Sequence, residues 1–200
     1  MRARLALQAC GVPVELREVV LREKPQEMME ASPKGTVPVL VEPDGTVIEE
    51  SYDIITWALA QSDTARWIQY DTGEVQEMKS LIAESDGLFK QALDRYKYPN
   101  RYEGVDRDSE RAKGAEFIAK LDKLLDGKPY LFGETFSLAD GAILPFVRQF
   151  AHVDMDWFYA SDWTNAIRWL DAFKESSAFK AIMTKYDQWQ SGKEGIRFGG

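Results

Sequence analysis

The stretch that most constrains this chain runs from Ser32 to Leu40 (SPKGTVPVL), through a short turn, and on from Glu49 to Leu59 (EESYDIITWAL). Thr36, Val37, Val39, Leu40 and Val41 are β-formers, yet Pro38 stands among them with no N–H to give a ladder. A proline there belongs to a strand start, an edge or a bulge, and a cis Val37–Pro38 bond is open to it. Such a bend leaves the Val37 amide and carbonyl without strand partners, able to pair with an extended peptide. Pro43-Asp44-Gly45 makes the turn, and Thr46 to Ile48 returns as the next strand. Ser51 then stands at a helix start, with Ile54, Ile55, Ala58 and Leu59 as the apolar face. The N–H groups and dipole of a helix start favour a carboxylate, and a hydroxyl there adds a donor. A peptide-pairing bend beside a carboxylate cup points to a small peptide ligand.

Composition narrows the class. A formal charge of −8 and a pI near 4.9 argue against nucleic acid or an anionic membrane as partner. No apolar run approaches the roughly 20 residues of a membrane span, and no signal peptide is visible. One cysteine, Cys10, excludes an internal disulfide and fits a reducing compartment, so a cytoplasmic location is expected. One histidine and one cysteine make no zinc cluster, and no metal is expected. Neither a Walker loop nor GxGxxG occurs.

Along the chain, Met1 to Cys10 reads as a helix without an N-cap residue, stopped by Gly11. Val14 to Leu21 reads as a strand, and Gln26 to Ala31 as a short helix after Lys24-Pro25. Helix, strand, helix, strand, strand, helix is an α/β order, and a leading strand would make it thioredoxin-like. Trp67 to Gly73 reads as a linker, after which strand signals vanish. Val75, Met78, Ile82, Ser85, Phe89, Ala92 and Tyr96 step by three and four along one long helix. Further helices are expected at Asp108–Leu125, after the Ser137–Asp140 capping box, at Thr164–Lys174 and at Ser177–Gln190. The expected division is a thioredoxin-like domain over 1–66 and an all-α helical bundle over 74–200.

TVPVL, the acidic-Ser pair Glu50-Ser51 and the later capping box together resemble a cytosolic glutathione transferase, most similar to the omega-like, cysteine-type group. The resemblance covers nearly the whole chain. It implies that Val37 pairs its backbone with the cysteinyl unit of glutathione, held by a cis Pro38. It implies that Glu50 and Ser51 take the γ-glutamyl end and that Lys24 reaches the glycyl carboxylate. Two carboxylates and one ammonium on the ligand make chemical sense of a lysine, a helix start and a carboxylate. The group opens with a central strand and a Cys-Pro-Tyr or Cys-Pro-Phe turn. That turn would lie roughly four residues upstream of Met1 on the helix spacing, so no catalytic residue is assigned within the chain. A first half lacking its central strand is expected to be weakened. The resemblance further implies a small apolar or electrophilic co-substrate and a homodimer.

Each residue also has a plainer reading. Pro38 can set a bend alone, Ser51 can simply start a helix, and Lys24 can be a solvated charge. Cys10 reads as a small buried side chain rather than a nucleophile, and His152 as structural or exposed. Tyr96, Trp157, Trp163, Trp169 and Trp189 read mostly as core, with one or two free to line an acceptor pocket. Two functions compete: a glutathione-dependent transferase or thiol reductase, and a non-catalytic binding module of the same fold.

Overall fold

The computed structural model describes all 200 residues, Met1 to Gly200. They form two compact units, one of Met1–Arg66 with Ser177–Gly200 and one of Trp67–Ser176.

In the first unit, helix α1 (Arg2–Cys10) buries Ala3, Leu5, Ala6 and Leu7 and packs on α3 (Ser51–Gln61) and α10 (Ser177–Ile182). Gly11 ends α1 in the left-handed region at φ 62°, where glycine has no Cβ penalty. Its N–H reaches Gln8, and the Val12 N–H reaches Leu7. Strand β1 covers only Val14–Leu16, shorter than the expected run to Leu21. Glu18 leaves the ladder to pair with Arg4 at 2.6 Å, and Val20 closes a lone bridge to Glu23. Helix α2 (Gln26–Ala31) follows as expected. Strands β2 (Leu40–Val41) and β3 (Val47–Ile48) pair antiparallel across the Pro43–Gly45 turn.

The partner of β1 is β4 (Ile196–Phe198), in antiparallel register Val14↔Phe198, Glu15↔Arg197 and Leu16↔Ile196. This strand lies in the half where strand signals had vanished, and the helix expected to reach Gln190 stops at Ile182. Tertiary contacts override helix propensity there. The Trp189 N–H donates to the Glu18 carbonyl at 2.8 Å, and the Arg17 guanidinium lies 4.6 Å over its indole. A Cβ on Gly199 would stand 2.2 Å from the Val12 carbonyl oxygen, so only glycine lets the tail lie this close.

The second unit is all helical. Helices α4 (Thr72–Glu84) and α5 (Lys90–Lys97) make the expected long element, joined by a π-helical turn at Ser85–Phe89. Helices α6 (Arg107–Leu124), α7 (Leu138–Ala151), α8 (Met155–Tyr159) and α9 (Thr164–Glu175) complete it. Phe89 stacks on Phe117 at 4.7 Å, and Phe150 meets both Phe89 and Tyr96. Gly114 on α6 admits Phe150, whose ring would stand 2.4 Å from any Cβ there. Residues 67–73 do more than link. Trp67 is 3% exposed, its carbonyl accepts the Leu138 N–H, and its ring presses on Gly141 and Phe136. Asp71, within the expected linker, forms a capping box with Glu74 at the start of α4. The Ser137–Asp140 box caps α7 as expected. No helix is long and apolar enough to cross a membrane.

Candidate functional site

The candidate binding residues Lys24, Val37, Pro38, Glu50 and Ser51 all fall on the first unit, the last four around the turn before β2 and the start of α3. Val37–Pro38 is cis, and Val37 lies ahead of the short β2 ladder with neither backbone group bonded to another segment. Its side chain is about half exposed. Ser51 is the first residue of α3, and no side chain caps that helix. Glu50 precedes it in extended conformation, its carboxylate 3.2 Å from Lys34 Nζ.

Contacts knit the set together. Gly35, at φ 59°, sits where a Cβ would be 2.9 Å from Lys24 Nζ and 3.0 Å from Met29 Sδ. The left-handed φ is what calls for glycine there, since the Lys24 and Met29 side-chain ends can move aside. Ser32, fully buried, donates to Glu49, and Lys34 lies 3.5 Å from Glu49. The Ser32 hydrogen bond, then Lys34, hold the Glu49 carboxyl below its usual range, while Glu50 and Glu49 raise Lys34. These exposed charges are screened by solvent and contribute little to stability. Their effect is positional, tying the turn to the start of α3.

Sequence reasoning missed three participants: Lys34, the Ser32–Glu49 bond and Arg2. The Arg2 guanidinium donates through Nη1 to Ser51 Oγ at 3.3 Å, and the residue is 5% exposed. The available signal was position, because Arg2 stands three and four residues before the buried Leu5 and Ala6, on the face turned to α3.

Other candidates separate from this set. Cys10 is 1% exposed, and burial, then Asp63, push its thiol up to about 11. At pH 8 only about one thiol in a thousand would then be thiolate. The native protein should resist iodoacetamide at pH 8 and take up one label on unfolding; mass spectrometry reads both states. His152 is pushed down by burial, then by the cationic neighbours Arg148, Lys174 and Lys97. Asp154, close in sequence, caps α8 through the Trp157 N–H. Tyr96 and Trp169 are fully buried, while Trp157 and Trp163 meet edge-on at 5.3 Å. An open cleft of about 550 Å³ lies beside α2, lined by Glu23, Glu27, Glu30 and Trp189. It shares no residue with the motif set, and three carboxylates make it a poor place for an anionic peptide.

An α/β unit carrying a cis-proline turn before a hairpin and a serine-started helix, with a separate helical unit, defines the thioredoxin-like class with an all-α partner domain. Residues 1–66 match the glutathione S-transferase N-terminal domain, and residues 86–172 match its C-terminal domain. The chain belongs to the glutathione S-transferase family. It is 27% identical over 166 residues to glutathione S-transferase U28 of Arabidopsis thaliana, covering 80% of this chain and 68% of that one. Among solved structures, the bacterial transferase BphK in a ternary complex superposes with a TM-score of 0.77 at 19% identity, over 91% of this chain and 92% of that one. A Pseudomonas putida glutathione transferase with glutathione disulfide bound gives 0.75 at 20% identity, over 90% and 84%. At these identities the likeness to solved structures speaks for the fold.

Proposed function

We propose that this chain binds glutathione through Lys24, Val37, Pro38, Glu50 and Ser51, and serves as a glutathione-dependent transferase or thiol reductase. The observation that carries the reading is Ser51, a hydroxyl at the first turn of a helix that no side chain caps. Such a helix start offers backbone N–H groups, a favourable dipole and an O–H to one carboxylate. The γ-glutamyl carboxylate meets that demand. The unbonded Val37 backbone gives the cysteinyl unit an antiparallel partner, in the manner of strand addition. Lys24, which makes no ion pair of its own, supplies a cation for the glycyl carboxylate.

The finer reading is of an omega-like, cysteine-type, cytoplasmic homodimer. In it, residues 1–66 hold glutathione and the helical part from residue 74 bears on a small apolar or electrophilic co-substrate. The thiolate of bound glutathione would be the attacking group. The competing reading is a glutathione-binding module without catalysis, and assays with electrophiles and mixed disulfides separate the two.

Titration calorimetry with glutathione tests the binding step. A charge-assisted hydrogen bond contributes roughly 1.5–3 kcal/mol, so Ser51→Ala should weaken glutathione by about 10- to 150-fold. Equal affinity for the two proteins would sink the Ser51 assignment.

A further inference from the structure

A serine hydroxyl has one proton to give and two lone pairs to accept with. At Ser51 one lone pair is already engaged, because Arg2 Nη1 donates to Oγ at 3.3 Å. The guanidinium is not a passing surface contact. Arg2 is 5% exposed, stands on the face of α1 that packs along α3, and lies 5.9 Å over the Tyr52 ring. Guanidinium only donates and does not lose its proton in proteins, so the direction of this bond is fixed. The Ser51 O–H must therefore point away from Arg2.

We infer that Arg2 is a positioning residue for the γ-glutamyl carboxylate: by occupying the inner lone pair of Ser51 Oγ, it aims the hydroxyl proton outward at the ligand. This rests on the glutathione reading above and adds to it an inner partner that touches no ligand. A hydroxyl without that partner rotates and can turn its proton to a neighbouring carbonyl, a common competing bond for serine at a helix end. With the partner, the donor is oriented before the ligand arrives, which lowers the ordering cost of binding. The positive charge behind the hydroxyl also polarises its O–H, in the sense that strengthens donation to an anion.

The plain alternative is that Arg2 only fastens α1 to α3. The two ideas part in a double-mutant cycle on glutathione affinity with Arg2→Met, Ser51→Ala and the double variant, each first checked for a native unfolding transition. Arg2→Lys stands in for Arg2→Met should the latter not fold, since lysine keeps a donor and a charge without the fixed planar fork.

Coupling through the hydroxyl predicts about a 5- to 10-fold loss for Arg2→Met, corresponding to one ordinary hydrogen bond, and a double variant no weaker than Ser51→Ala alone. A second ligand sharpens the result. For 4-aminobutanoyl-cysteinyl-glycine, which is glutathione without the γ-glutamyl carboxylate, wild type and Arg2→Met should bind alike. A double variant weaker than Ser51→Ala by the full Arg2→Met factor would overturn the proposal. So would an equal Arg2→Met loss on the carboxylate-free analogue, because a fastening role moves both ligands together. Failure of the underlying reading looks different: wild type would then show no saturable binding of glutathione at all.

Discussion

Asp140→Ala is expected to destabilise the helical unit by about 3–5 kcal/mol, a large part of a typical domain's stability. The carboxylate is fully buried and each oxygen accepts twice. Oδ1 takes the Leu131 N–H at 3.1 Å and the Trp169 indole N–H at 2.8 Å; Oδ2 takes the Ser137 N–H at 2.9 Å and its hydroxyl at 2.5 Å. Alanine leaves these donors buried without an acceptor and opens space beside Trp169, which is 1% exposed. Thermal or urea unfolding measures the loss. A change below about 1 kcal/mol would mean that the network is held by its surroundings and not by Asp140. Asp140→Asn, which keeps the shape and swaps one oxygen for a donor, should fall between alanine and wild type.

Phe198→Ala is expected to release the tail from the first unit at a cost of about 3 kcal/mol to that ladder. Phe198 is 5% exposed and sits opposite Val14 in the register that gives β1 its partner. The effect reaches beyond one side chain, because the tail is tied on by several bonds along its length. The Gly195 N–H reaches the Glu15 carboxylate at 2.8 Å, the Trp189 N–H reaches the Glu18 carbonyl, and Tyr186 lies under Arg4. Once Phe198 no longer anchors the strand, these exposed contacts should exchange as a group. Amide hydrogen exchange should show faster exchange across Val14–Leu16 and Trp189–Phe198, with α4 to α9 unchanged. Unaltered protection at Val14–Leu16 would show that β1 does not depend on the tail.

What the sequence revealed divides along physical lines. Pro38, Gly11, Ser51 and the Ser137–Asp140 box act locally, through a missing N–H, a positive φ or a cap within one turn. Such effects are written in a few adjacent residues, and each lies in the structure where the pattern put it. The strand β4 could not be seen this way. Ile196–Phe198 is three residues long, and its reason to extend is β1, 180 positions away in sequence by the Gly195–Glu15 bond. The same holds for Trp67, whose neighbours Phe136 and Gly141 come from another part of the chain and turn an apparent linker into core. At the candidate site, Lys24, Val37, Glu50 and Ser51 could be picked out because their chemistry suits a peptide with two carboxylates. Arg2 could not, since its bond to Ser51 depends on α1 lying along α3. A lone arginine near a helix start carries no such message by itself.

The central claim is that one small region, around Val37 and Ser51, receives glutathione. Amide chemical-shift mapping tests it directly, titrating glutathione into isotope-labelled protein and following every backbone N–H. The account predicts saturable shifts that are largest at Val37, Glu50 and Ser51 and are accompanied by Lys24 and Gly35, with Ser51→Ala weakening all of them in parallel. Saturable shifts centred instead on the cleft of Glu23, Glu27 and Trp189, or the absence of any saturable shift, would contradict it.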